Sequence, residues 1–267
     1  MYTIHNLVNN DDVVILEKKG AYSVIEYKKD LSITPNNAML SYYCSEMNIR
    51  KRQLLCDLNI SDVTIQPGAM QMMVGDVKAT TGIKGVRDFG AKLFRGAVTN
   101  ESTIKPEYTG SGELLLEPTY RHILLLDLND WNGSLVLDDG TFMACDGNLE
   151  QKLVSRSNIS SAMLGKEGLF NLGIYGKGTV CLESPCPKEE LIEIELKDDE
   201  LKIDGNMAVA WSSSLKFTVE KAGTSYLGSA ASGEGFVNVY RGTGKVLLAP
   251  VTDSITDLLN PIHPIGE

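Results

Sequence analysis

Arg50-Lys51-Arg52 is the densest run of cations in the chain, with Lys18-Lys19 and Lys28-Lys29 upstream. Cations packed that closely can hold phosphate or another polyanion. They can equally line a solvated strand edge, where lysine discourages unwanted pairing. Both readings stand. The three histidines are His5, His122 and His263, and none belongs to a His-x-x-x-His or Cys/His group. The spacing that a zinc site needs is therefore missing. His122 falls in a strand-like apolar run and reads as a satisfied strand residue. The five cysteines, Cys44, Cys56, Cys145, Cys181 and Cys186, are odd in number and form no Cys-x-x-Cys pair. They read as reduced, mostly buried thiols of a cytoplasmic protein.

Other motifs that invite chemistry fail on their own terms. Gly242-Thr-Gly-Lys-Val246 looks like a phosphate loop, but Val246 stands where a magnesium-binding hydroxyl belongs and Val239 where the first glycine belongs. The acidic turns around Gly133, Gly140, Gly147 and Gly205 would start calcium loops at Leu128, Leu135, Phe142 or Glu200, and Glu200 is followed by Lys202 at a ligand position. Ser212-Ser-Ser214 has no histidine near it in sequence and no Gly-x-Ser-x-Gly elbow occurs. No catalytic residue, metal ligand or cofactor is assigned, although a site assembled from distant residues is invisible at this level.

The lysine of that false phosphate loop has a better explanation, because its surroundings recur. Gly110-Ser-Gly112 opens Glu-Leu-Leu-Leu-Glu-Pro118, Gly176-Lys-Gly178 opens Thr-Val-Cys-Leu-Glu-Ser-Pro185, and Gly242-Thr-Gly244 opens Lys-Val-Leu-Leu-Ala-Pro250. The first glycines lie 66 residues apart in both intervals. Each copy reads as a glycine-permitted turn, a short apolar strand and a proline that ends the ladder. Asp146-Gly-Asn-Leu149 returns out of phase as Asp204-Gly-Asn-Met207. Equal spacing predicts one supersecondary unit used three times, with Gly112, Gly178 and Gly244 in equivalent backbone positions.

The rest of the chain supplies strands. Residues 12–17 and 22–27 predict an opening hairpin, 31–37 a loop, 61–66 a strand, and Pro67-Gly68 a turn into Ala69-Met-Gln-Met-Met-Val74. The three methionines there read as core filler, with a methionine-lined recognition groove as the alternative. Residues 75–90 read as a long connection, and 99–108, which has no counterpart in the other copies, as a surface insertion. Residues 123–128 predict a buried strand, while 134–137 and 141–145 predict a hairpin across Asp138-Asp-Gly140, echoed by 191–196 and 201–203. Segments 207–211, 215–219, 236–240 and 245–251 complete the set. Helical periodicity is confined to a turn or two at 157–164 and a short C-terminal helix at 253–259.

Composition agrees with a β-rich globular chain: 267 residues, 43% hydrophobic, 22% charged, 25 glycines. A net charge of -10 argues against non-specific nucleic-acid or anionic-membrane binding. The N-terminus lacks the basic start and apolar run of a signal peptide, and no apolar stretch approaches the roughly 18 residues a membrane helix needs.

Gln66-Pro-Gly-Ala-Met70, Phe142-Met-Ala-Cys-Asp146, Val209-Ala-Trp211 and the third glycine strand, Gly242 to Pro250, resemble the bacterial relatives of the mitochondrial biogenesis "altered inheritance of mitochondria" proteins. The similarity runs from Val63 to Val251. It implies an all-β chain of three tandem short β-sandwich repeats, double-stranded β-helix-like and similar in fold to the tryptophan RNA-binding attenuation protein (TRAP-like). It implies further that three chains close into a ring. The family carries no agreed catalytic residues to transfer, and fold likeness does not carry RNA binding across.

The expected architecture is one compact unit with repeats at about 1–118, 119–185 and 186–251 and a tail at 252–267. The expected function is a non-enzymatic, ring-forming scaffold, a homotrimer that binds a partner protein or small ligand and needs no cofactor. RNA or polyanion binding through Arg50, Lys51 and Arg52 is the first alternative, and an enzyme with a site at repeat or subunit interfaces the second.

Overall fold

Alternating β-branched and aromatic residues dictate the first hairpin. Val13–Lys19 (β1) and Tyr22–Tyr27 (β2) pair antiparallel around Gly20, whose φ of +53° closes the turn. The computed structural model describes residues 1–80, 105–155, 170–221 and 236–250. Both expected helical turns, at 157–164 and 253–259, lie outside the described residues, as do the tail, His263 and residues 99–104.

After β2 comes a helix that the sequence pattern does not announce. One 3-10 turn at Pro35–Asn37 leads into Ala38–Glu46 (α1), in which no residue is buried. Met39, Leu40, Tyr42 and Tyr43 all face solvent. Periodicity detects an apolar stripe, and this helix has none.

Fourteen further strands follow: Arg52–Asp57 (β3), Val63–Ile65 (β4), Met70–Thr80 (β5), Glu107–Leu116 (β6), His122–Asp127 (β7), Ser134–Leu137 (β8), Phe142–Asp146 (β9), Glu150–Ser155 (β10), Phe170–Tyr175 (β11), Thr179–Ser184 (β12), Ile192–Asp204 (β13), Ala208–Ser212 (β14), Lys216–Lys221 (β15) and Phe236–Leu248 (β16). Among the described residues the chain is all-β apart from α1 and short 3-10 turns. One sheet has nine strands in the order β1-β2-β3-β6-β4-β9-β12-β7, with β5 also on β6. The other has seven, in the order β10-β11-β8-β14-β16-β13, with β15 also on β16. Every pairing between these strands is antiparallel.

Four apolar clusters are buried among the described residues, the smallest of them Val13, Ile25 and Leu115. Leu54, Val63, Leu114 and Met143 belong to the first, and Leu124, Leu135, Val180 and Ile174 to the second. The third holds Leu196, Trp211, Tyr240 and Val246, with Trp211 5.4 Å from Phe217 and 5.3 Å from Tyr240 between ring centres. The second cluster draws from both sheets, so burial of those side chains helps to hold the two sheets together.

Several local expectations need correction. Residues 134–137 and 141–145 are strands but not a hairpin, because β8 pairs with β11 and β14 while β9 pairs with β12 and β4. The Asp138–Gly140 turn carries the chain from one sheet to the other. The second expected hairpin is likewise one strand, β13, which bends at a bulge between Leu196 and Asp199 where Asp198 has φ +53°. Residues 75–80 extend β5 instead of leaving it. Tyr108, expected in a surface insertion, is buried in β6. Finally, Met70 and Met73 do not fill the core, since both are exposed.

Candidate functional site

Most of the basic cluster's charge is met where it stands, three cations sharing two carboxylates. Arg52 is only 1% exposed and its Nη2 lies 2.6 Å from Glu26 Oε2, itself buried on β2. Arg50 Nη1 reaches the other Glu26 oxygen at 3.0 Å, and Lys51 Nζ pairs with Asp30 at 3.1 Å while covering the Tyr27 ring. Arg52 also donates to the Asn48 carbonyl at 2.9 Å and to Asn48 Oδ1 at 2.8 Å. A shared carboxylate leaves little positive field for an outside anion. What the cluster does is join β2, β3 and the loop after α1. His122 sits nearby, its pKa pulled down to about 4 by burial and then by the Arg52 charge. At neutral pH that imidazole is uncharged.

Four of the five thiols are unsuited to nucleophilic work. Cys56, Cys145, Cys181 and Cys186 are buried and Cys44 is half-buried. Burial pushes the Cys145 thiol up to about 12 and raises the other three. Among the described residues no group of three His, Cys, Asp or Glu is placed to hold a metal ion.

The glycine pairs organise the sheets. Gly110, Gly176 and Gly242 have φ of +113°, +130° and +121°. Gly112 and Gly178 have φ of +158° and +156°, whereas Gly244 lies outside the left-handed range. A Cβ on Gly112 would overlap the Val74 carbonyl oxygen, one on Gly178 would meet Asp146 Oδ2 at 2.5 Å, and one on Gly244 would meet Ser212 Cβ at 2.7 Å. Each second glycine thus lets its strand approach a neighbour too closely for a side chain.

Around every glycine pair the chain makes the same four contacts. Before the pair, β6 joins β4 and β5, β11 joins β8 and β10, and β16 joins the second half of β13 and β15. After the pair, β6 joins β3 and β5, β12 joins β7 and β9, and β16 joins the first half of β13 and β14. Two further ladders run between these groups. Ile65, Thr64 and Val63 of β4 face Ala144, Cys145 and Asp146 of β9. Leu137, Val136 and Leu135 of β8 face Ala210, Trp211 and Ser212 of β14. Among the described residues β5 pairs only with β6, and β13 only with β16. Among the described residues each keeps one sheet edge unpaired, as do β1, β7, β10 and β15. Sequence reasoning could not find these edges, because exposure of a strand depends on which others lie beside it.

A cleft of about 420 Å³ lies between β7 and the first half of β13. Its lining carries charges of both signs: Lys19 lies 4.0 Å from Asp127, Lys245 lies 3.1 Å from Glu193, and Lys188 and Asp130 line it together with Trp131 and Leu191. Such a lining suits a small polar or zwitterionic molecule better than an apolar one. No helix among the described residues is long and apolar enough to cross a membrane.

Known proteins agree with this architecture. The family model described as "Mitochondrial biogenesis AIM24" matches residues 47–251. An uncharacterised protein of Streptococcus pyogenes serotype M6 is 30% identical over 194 residues, covering 70% of this chain and 75% of its own. A Streptococcus pyogenes protein whose crystal structure was solved in a structural genomics programme superposes with a TM-score of 0.58 at 26% identity, covering 80% of this chain and 94% of that one. With its glycine strands, sheet order and matched span together, the chain belongs to the AIM24 mitochondrial biogenesis family.

Proposed function

We propose that the protein is a non-enzymatic β scaffold in which three consecutive units, 1–118, 119–185 and 186–251, close with two further chains into a homotrimeric ring. One observation carries this reading. The same four strand pairings recur around Gly110/Gly112, Gly176/Gly178 and Gly242/Gly244, and of the strands placed like those in the two joining ladders only the first half of β5 and the second half of β13 lack that partner among the described residues. Unused edges of two different kinds favour closure by other copies of the same chain. The ring would then present its clefts and the solvent-facing Met39, Leu40, Tyr42 and Tyr43 of α1 to a protein partner or a small ligand. Buried free thiols favour a cytoplasmic setting. Arg50, Lys51 and Arg52 support a fastening role more than polyanion binding, since each already faces a carboxylate.

Native mass spectrometry of gently purified protein tests the ring. A mass near three times 29.1 kDa is expected, and added mass on it would define a ligand class. A monomer over the whole concentration range would overturn the reading.

A further inference from the structure

Positions in the three units can be matched through the strands they share. Val63, Leu135 and Leu201 pair respectively with Tyr108, Ile174 and Tyr240, each two residues before the first glycine of its pair. Met73, Cys145 and Trp211 pair with Leu114, Val180 and Val246, each two residues after the second glycine. The internal ladders set Thr64 against Cys145 and Val136 against Trp211. In both, the residue after the Val63/Leu135 position faces the Cys145/Trp211 position. The register is therefore the same in both ladders.

Burial follows the ladders. Cys145 and Trp211 are 0% and 2% exposed, yet Met73 at the matching position is 46% exposed. No residue of Met70–Val74 is buried, while Phe142–Cys145 and Ala208–Ser212 are buried throughout. On the other side, Val63–Ile65 and Leu135–Leu137 are buried, but of β13 beyond the bulge only Ile203 is. Exposed Met70 and Met73 beside backbone that is unpaired among the described residues are costly in water and a ready template for a strand.

Resting on the ring reading above, we propose that β13 of one chain pairs antiparallel with β5 of the next in the internal register. Leu201 then faces Val74, Lys202 faces Met73, and Ile203 faces Met72 of the neighbouring chain. The occupant of each edge is a second copy of this chain, because the two edges are the missing halves of one ladder type. The contact is heterologous, so it must either close into a ring or run on as a filament. Met73 should become buried as Trp211 is, with the aliphatic stem of Lys202 taking the place that Val136 has in the internal ladder.

The test uses the full chain with Cys44→Ser as background. Met73→Cys and Lys202→Cys are introduced singly and together, treated with a short bismaleimide, and resolved under denaturing conditions beside native masses of the untreated proteins. The double variant should link into covalent trimers, while each single variant stays monomeric after denaturation. A native trimer whose double variant links no more than the single ones would overturn this register and leave the ring standing. A native monomer would remove the ring and the seam together. A ladder running past three chains would contradict closure. As an independent check, Met73→Lys should dissociate the assembly by setting two cations opposite each other, and adding Lys202→Glu should restore it. Dissociation without restoration would count against Lys202 as the facing residue.

Discussion

Strands β9 and β5 occupy corresponding places beside the strand that follows a glycine pair, yet one is buried and the other lies open. The cause is a neighbour. β9 has β4 along its outer edge, whereas β5 has nothing there among the described residues. The same contrast separates β8, covered by β14, from the second half of β13. Local sequence hardly explains the difference, since Met-Gln-Met-Met is as apolar as many core strands. In these two pairs of strands, burial goes with the ladder to the next strand. If the chain is units added in a row, as proposed, the ladder type that joins them is left incomplete once at β5 and once at β13.

Breaking an internal ladder should have the largest effect. Trp211→Ala removes a 2%-exposed ring packed against Phe217 and Tyr240, and should cost about 3–5 kcal/mol in chemical denaturation. Met73→Ala at the matching open position should leave the unfolding midpoint of dilute protein nearly unchanged, and should weaken assembly at higher concentration. Equal losses at the two sites in dilute protein would erase the contrast.

Arg52→Ala should come close behind. It leaves the buried Glu26 carboxylate with Arg50 alone, and breaking a buried pair costs about 3–5 kcal/mol. An unchanged denaturation midpoint would show that the cluster does not fasten β2 to β3.

Gly112→Ala should be milder, because only the local ladder to Val74 has to shift to admit a methyl group. A cost of about 1–3 kcal/mol is expected from backbone strain. Gly140→Ala, where φ is +76° but a Cβ would meet nothing within 4 Å, should cost less. Reversal of that order in thermal melts would mean that close approach at the glycine pair is unimportant.

The smallest effect concerns His122. Its folded pKa of about 4 lies below its ordinary 6.5, so the unfolded chain binds a proton that the folded chain refuses in that window. This contribution is fully present above the unfolded value and fades as pH falls through the folded one. Arg52, Glu26 and Glu189 are the charges it feels, and Arg52 opposes protonation. His122→Gln should therefore lose less stability than the wild type between pH 7 and about pH 5.

How much of this was legible beforehand follows from what each feature depends on. Hairpin β1–β2 and most strand positions could be read because alternation and turn residues act locally. The glycine pairs stood out because close backbone approach demands a specific residue. The apolar but unpartnered helix α1 was missed, having no stripe. The supposed hairpin at Asp138–Gly140 was misread because the turn signal is the same whether the next strand pairs back or crosses to the other sheet. Arg52 looked like surface charge because its partner, Glu26, lies across a strand pair and not beside it in sequence. The open edges depend on which strands stand side by side, and no local pattern records that.

Amide hydrogen exchange of β5 and β13 tests the central claim most directly. In the wild-type protein at assembling concentrations, peptides covering Met70–Val74 and Leu201–Ile203 should be protected as strongly as those covering Val63–Ile65 and Leu135–Leu137. Met73→Lys should release the first two and leave the others unchanged. Rapid exchange of both edges in the wild-type protein, with the internal ladders protected, would contradict the account.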